Sequence, residues 1–170
     1  MIKGLNELTP WGENYNQGDI GAIATSLATF GYNRSISVWR DGEIRAGNHT
    51  FKALCWLRKQ GAEPPVNVTA KNGDWYIDTT DCSHLTAEQA TAYAIADNRT
   101  VELASHDDAK LAELLSSVAE FDTELFEATG YDGEDLADLM LPTEFPEYDE
   151  SVEGEVEYIT CPHCNKDFPK

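Results

Sequence analysis

The dipeptide Asp41-Gly42 constrains this chain more than any other feature, because it stands between two short runs, "SISVW" and "EIRA". Aspartate followed by glycine suits the left-handed backbone of a two-residue hairpin turn, and Ile36 and Val38 alternate with polar neighbours as one face of a strand does. The hairpin returns over residues 43–46 and delivers the chain to Gly47. There the period changes. Phe51, Leu54, Cys55 and Leu57 recur at helical spacing over residues 49–60, and Gly61 follows where a helix ends. Strand, turn, strand, glycine and helix in this order predict a mixed α+β domain.

The flanking sequence extends that reading. Gly18-Asp19 precedes Ile20, Ile23, Ala24, Leu27 and Phe30 at helical spacing, with Gly31 in the C-terminal position. "PPVNV", residues 64–68, reads as a short strand, and "NGDWYID" as a turn and a strand with Trp75 and Ile77 on one face. Thr86 and Gln89 form a capping box, so a helix is expected over about residues 87–95 or a little beyond, leading into "ADNRT". Leu111, Leu114, Leu115 and Val118 form an amphipathic stripe, and Leu125 and Phe126 before Gly130 suggest a shorter helix.

With 170 residues, 41% of them hydrophobic, the chain can bury one core. Its expected organisation is an α+β domain over 1–105, a small mixed sheet with helices. A helical extension follows over 106–140, then a flexible acidic linker over 141–160 and a cysteine-bearing tail over 161–170. Residues 1–105 carry twelve acidic and nine basic side chains, whereas 106–170 carry nineteen and three. The overall charge of −19 argues against a protein that coats DNA through its net field. An anion site is therefore expected only in the first part.

No apolar run approaches the roughly 18 residues that span a bilayer, and "MIKGLNELTPWGENYNQ" lacks the apolar centre of a secretory signal. A cytoplasmic location and no membrane partner are the expectation. Four cysteines, unevenly spaced, suit free thiols or a metal pair better than a disulfide framework. Cys161 and Cys164 in "CPHCNKDF" form half of a zinc knuckle, with Asn165 at the turn position that glycine often takes. Three readings stay open: a ribbon without metal, a zinc site shared between two chains, and a site completed by Cys55 or Cys82.

A helix beginning just after a glycine turn presents unpaired N–H groups and the positive end of its dipole, which together suit phosphate or carboxylate. Gly47 would let the backbone approach an anion, and Asn48, His49 and Thr50 offer donors. Arg45 and Lys52 would add positive charge. The alternative is that Asn48 or Thr50 only caps the helix. His49 likewise has two readings, a phosphate contact or general base on one hand, and a structural hydrogen bond across the turn on the other.

Three segments in order widen the view: "GDIGAIATSLATFGYNRSISVW", "IRAGNHTFKAL" and "AIADNRTVELASHDD". Together they resemble the ParB/sulfiredoxin superfamily over about residues 8–139, in particular the small ParB-like nuclease-domain proteins of bacteriophages and their bacterial hosts. The resemblance implies that residues 31–34, Gly31 and Arg34 included, lie near a base or sugar, and residues 47–50 at the phosphates. It places Asp97 and Asn98 near a magnesium ion bound with a nucleoside triphosphate, CTP or ATP, and leaves Arg99 to pair with phosphate. DNA association, a homodimer, and location in a bacterial host cell are further expectations from it.

The departures bear on activity. Asn48 stands where partition ParB carries a glutamate and sulfiredoxin its catalytic cysteine, and an amide is no carboxylate base. Thr50 stands where an arginine is usual, which removes a bidentate phosphate fork. The resemblance leaves a DNA-binding protein or nuclease, a small-molecule phosphotransferase or nucleotide hydrolase, and a catalytically silent adaptor as readings. For turnover the candidates are His49 and Glu43 as bases and Asp97 as the group that assists the metal.

Overall fold

The computed structural model describes residues 1–141 and 158–169. Met1–Met140 form one compact unit and Leu141–Lys170 a second. The acidic linker expectation falls largely on residues 142–157, outside the described residues.

The first unit is α+β around a mixed sheet. Its strands are β1 (Ile2–Gly4), β2 (Thr9–Pro10), β3 (Ile36–Val38), β4 (Glu43–Ala46), β5 (Thr69–Lys71) and β6 (Asp74–Asp81), in the order β1-β6-β3-β4-β2, with β5 paired to β6. The β1/β6, β3/β4 and β5/β6 pairs are antiparallel, whereas β2/β4 and β3/β6 are parallel. The parallel pairs place Ile36 opposite Thr79 and Pro10 opposite Ile44.

Two helices cover one face. α1 (Ile20–Phe30) starts where the Asp19 carboxylate accepts from the Ala22 N–H, and α2 (Asn48–Lys59) packs against it. Ala24 and Leu27 of α1 meet Phe51, Ala53, Leu54 and Leu57 of α2, and both sets close on Ile36, Val38, Ile44, Trp75 and Ile77 of the sheet. Cys55 packs at the edge of this core. Alternation sends Ser37 and Arg45 to the other face, where α3 (Ala87–Glu102) packs on β4. The rest of the unit is helical: α4 (Asp108–Phe121), α5 (Thr123–Ala128) and α6 (Gly133–Leu139), with α5 and α6 both against α4.

Four expectations need correction. The β3–β4 turn takes three residues, Arg40–Gly42, rather than two; Asp41 and Gly42 still supply the left-handed backbone, and the register shifts beside Val38. "PPVNV" is no strand: the Val68 N–H closes a turn on the Pro65 carbonyl with Asn67 at φ 66, and pairing starts only at Thr69. Two consecutive prolines lack the N–H that a ladder needs. α3 continues seven residues past Ile95, so Asp97, Asn98 and Arg99 lie on helix. In α4, Leu115 is buried with Ala112, whereas Leu114 is 58% exposed, because α5 and α6 cover a narrower arc than the leucine stripe.

In the second unit β7 (Tyr158–Thr160) and β8 (Asp167–Pro169) form an antiparallel hairpin around the Cys161–Cys164 turn.

Candidate functional site

On the α3 side of the sheet lies a cavity of about 580 Å³. Its rim on one side is the start of α2, Gly47 to Thr50, and on the other α3, with Asp97 and Asn98. Arg45, Ser37 and Thr80 line it from the strands, and Asn14 and Asn16 reach it from the loop before α1. The three segments singled out in the sequence thus meet at one place.

Gly47 has φ 90 and no side chain caps α2. The first bond that closes the helix runs from the Phe51 N–H to the Gly47 carbonyl. The N–H groups of Asn48, His49 and Thr50 precede it, in the geometry that receives anions. The glycine has a structural cause as well. A Cβ at this position would lie 2.9 Å from Cγ1 of Ile36, in a backbone region that L side chains rarely adopt.

Asn48 and His49 are both engaged in holding the chain. The buried Asn48 amide accepts from the Trp11 N–H at 2.9 Å through Oδ1 and donates to the Ile44 carbonyl at 3.5 Å through Nδ2. Its side chain therefore ties α2 to the N-terminal segment, and the backbone N–H is the donor left for a ligand. Nε2 of His49 accepts from the Gly18 N–H at 3.1 Å. Burial, and after it the charge of Lys52, holds the imidazole below its ordinary pKa, against a smaller opposite effect from the Asn16 backbone. His49 is thus a neutral acceptor that pins the loop carrying Asn16, and Nδ2 of Asn16 in turn donates to Oδ1 of Asn98 at 3.3 Å.

Arg45 lies at the inner side of the cavity, 7% exposed, with its guanidinium 5.2 Å from the Trp11 ring and 4.7 Å from the Trp39 ring. It forms an ion pair with Glu43, two residues away on the same strand face, and its Nε has no hydrogen-bond partner among the described residues. Across the cavity the exposed Arg34 meets the Asp97 carboxylate at 3.5 Å. Two residues before Arg34, the Tyr32 hydroxyl donates to the Asp78 carbonyl and accepts from the Ile36 N–H, both at 2.7 Å, and its pKa is pushed up to about 12, chiefly by burial.

Not every expected residue arrives here. Gly31 caps α1 on the Leu27 carbonyl, Lys52 is exposed one turn into α2, and Arg99 pairs with Glu102 at 2.9 Å. None of the three, nor Glu43, lines the cavity. Conversely, Ser37 and Tyr93 share a hydrogen bond of 2.8 Å inside it, and Ser35 and Thr80 one of 2.7 Å. The alternation of Ser37 between Ile36 and Val38 marks it as facing away from the core, a signal legible in the sequence. Tyr93 and Thr80 carry no comparable local signal.

Two cations, Arg34 and Arg45, face two carboxylates, Asp97 and Glu102. A bare polyanion gains little from such a balance. Asp97, with the Asn98 amide beside it, could help to hold a magnesium ion if phosphate oxygens and water completed its octahedron. No three metal-ligating side chains converge among the described residues, so these residues alone make no metal cage.

No protein-family model and no characterised protein matches the chain. Among solved structures it is similar to the C-terminally truncated chromosome-partitioning protein ParB from Caulobacter crescentus, solved in complex with CTP-γ-S. The TM-score is 0.57 at 14% sequence identity, over 84% of this chain and 79% of that one. At this identity the likeness shows the fold: an α+β, ParB-like arrangement of mixed sheet and helices.

Proposed function

We propose that the cavity between α2 and α3 binds a nucleoside triphosphate with magnesium, CTP being the first candidate. The observation that carries this reading is the uncapped start of α2 opening onto the cavity opposite Asp97. N–H groups suited to phosphate and a carboxylate suited to magnesium face the same space. The CTP analogue bound by the ParB of like fold supports the choice of nucleotide. The reading is one of binding. Asn48 supplies no base, the His49 acceptor nitrogen is used by Gly18, and Glu43 is paired with Arg45 and does not itself line the cavity.

Titration with CTP, ATP and ADP, each with and without magnesium, tests it by calorimetry and thermal denaturation. A nucleotide at a hundred times its dissociation constant adds about 2.7 kcal/mol of stability. A rise in melting temperature that needs magnesium is expected with at least one triphosphate. A flat response to all three, at millimolar concentration, would overturn the reading. DNA association rests on the fold likeness and is tested apart, by mobility shift at low and moderate salt with and without the bound nucleotide.

A further inference from the structure

The tail hairpin makes a closed knuckle. The Cys161 N–H donates to the Lys166 carbonyl and the Asn165 N–H to the Cys161 carbonyl, both at 2.9 Å, and Asn165 takes φ 52. That left-handed residue lets the chain reverse directly after Cys164. The turn so closed carries both thiols, Cys161 and Cys164, and the thiolate is the form that binds metal.

The knuckle is incomplete alone. Tyr158, Ile159 and Thr160 are all exposed, so β7 has no core to rest on, and a two-stranded hairpin is marginal in water without further support. Closed structural zinc takes four ligands at tetrahedral geometry, and a Cys-x-x-Cys turn gives two. Among the described residues no third ligating side chain joins them. Residues 142–157 contain neither cysteine nor histidine. The other two thiols of the chain are turned inward: Cys82 is buried, Cys55 packs against the core, and burial raises the pKa of both. The one further Cys-x-x-Cys pair that is sure to accompany this chain is the same turn on another copy of it.

We propose that Cys161 and Cys164 form half of a tetrahedral zinc site whose other two thiolates come from the same knuckle of a second copy of this chain. Soft thiolates select zinc over magnesium or calcium. Each thiol still protonated loses its proton to water as the metal binds. The site is independent of the nucleotide cavity.

Cobalt(II) titration of the full chain, reduced and without nucleotide, tests this. The expected result is a break at one metal per two chains, with tetrahedral visible bands and thiolate-to-metal charge transfer of four-sulfur intensity. The loaded species should have the mass of two chains by light scattering, and zinc should displace the cobalt. Cys161→Ser or Cys164→Ser should abolish the bands, whereas Cys55→Ser and Cys82→Ser should leave them. A break at one metal per chain, a two-sulfur spectrum, a monomeric loaded species or no cobalt bands at all would overturn the proposal.

Discussion

Gly18 and His49 are in direct contact: the Gly18 N–H donates to Nε2 of His49, and a Cβ at position 18 would lie 2.9 Å from the imidazole Cγ. Only unprotonated Nε2 can accept. Since burial first and Lys52 second lower the folded pKa of His49 from 6.5, the unfolded chain takes up this proton earlier as the pH falls. The contribution is complete above 6.5 and is lost below it, down to the folded pKa. His49→Gln keeps an acceptor and removes the titration. Its melting temperature should fall less than that of the wild type between pH 7.5 and 5. Equal losses would show that this contact does not carry the pH dependence.

Asp97→Asn separates magnesium binding from phosphate binding. With magnesium the variant should bind the triphosphate at least about tenfold more weakly, a loss of ~1.4 kcal/mol. Without magnesium it should bind no worse than the wild type, because a carboxylate facing bare phosphates has been removed. Calorimetry under both conditions reads the difference. A uniform loss in both would mean that Asp97 acts only by positioning Arg34.

Gly47→Ala is expected to cost about 1–3 kcal/mol of stability before any ligand is added. The left-handed backbone and Cγ1 of Ile36 both exclude the new methyl group. Urea denaturation of the ligand-free chain measures the cost. Gly47 therefore makes a poor probe of the nucleotide site, whereas the exposed Arg34 makes a good one.

Periodic elements were legible in the sequence because burial repeats along them. α1 follows from Ile20 to Leu27, and the start of α3 from the Thr86 and Gln89 box, whose two hydrogen bonds are both present. The end of α3 was not legible, since Asp97-Asn98 reads as a turn locally and becomes helix only with further residues beyond it. β1 and β2 carry no pattern of their own; each is held by a partner distant in sequence, β6 or β4. In the cavity, the glycine turn was legible from its local chemistry, whereas the Asp97 region entered only through the resemblance of three segments to a known superfamily. The true task of Asn48 was hidden, because its partner is the main chain at Trp11, thirty-seven residues earlier.

The Trp11–Arg45–Trp39 stack is expected to be worth more than its ion pair. Arg45→Met should cost about 2 kcal/mol, from cation–π contacts of roughly 0.5–1 kcal/mol each and from leaving Glu43 without its partner. Adding Glu43→Gln should recover only part of that loss. A double-mutant cycle in urea measures the coupling, and strict additivity of the two substitutions would show that Glu43 and Arg45 do not stabilise one another.

Asn48→Asp probes the same corner through one atom. Oδ1 would still accept from the Trp11 N–H, but the other oxygen would replace a donor with an acceptor facing the Ile44 carbonyl. In this buried place the charged form is disfavoured by desolvation and by that carbonyl, so the folded pKa of the new carboxyl rises above the ordinary value of about 3.9. The unfolded state then ionises first as the pH increases. Relative to the wild type, the variant should lose stability as the pH rises through about 4, by roughly 1–3 kcal/mol at neutrality, and should approach the wild type in acid where the protonated carboxyl donates to Ile44. Paired denaturation curves from pH 4 to 8 give this difference directly. A deficit that does not change with pH would mean that the carboxyl has turned out to solvent.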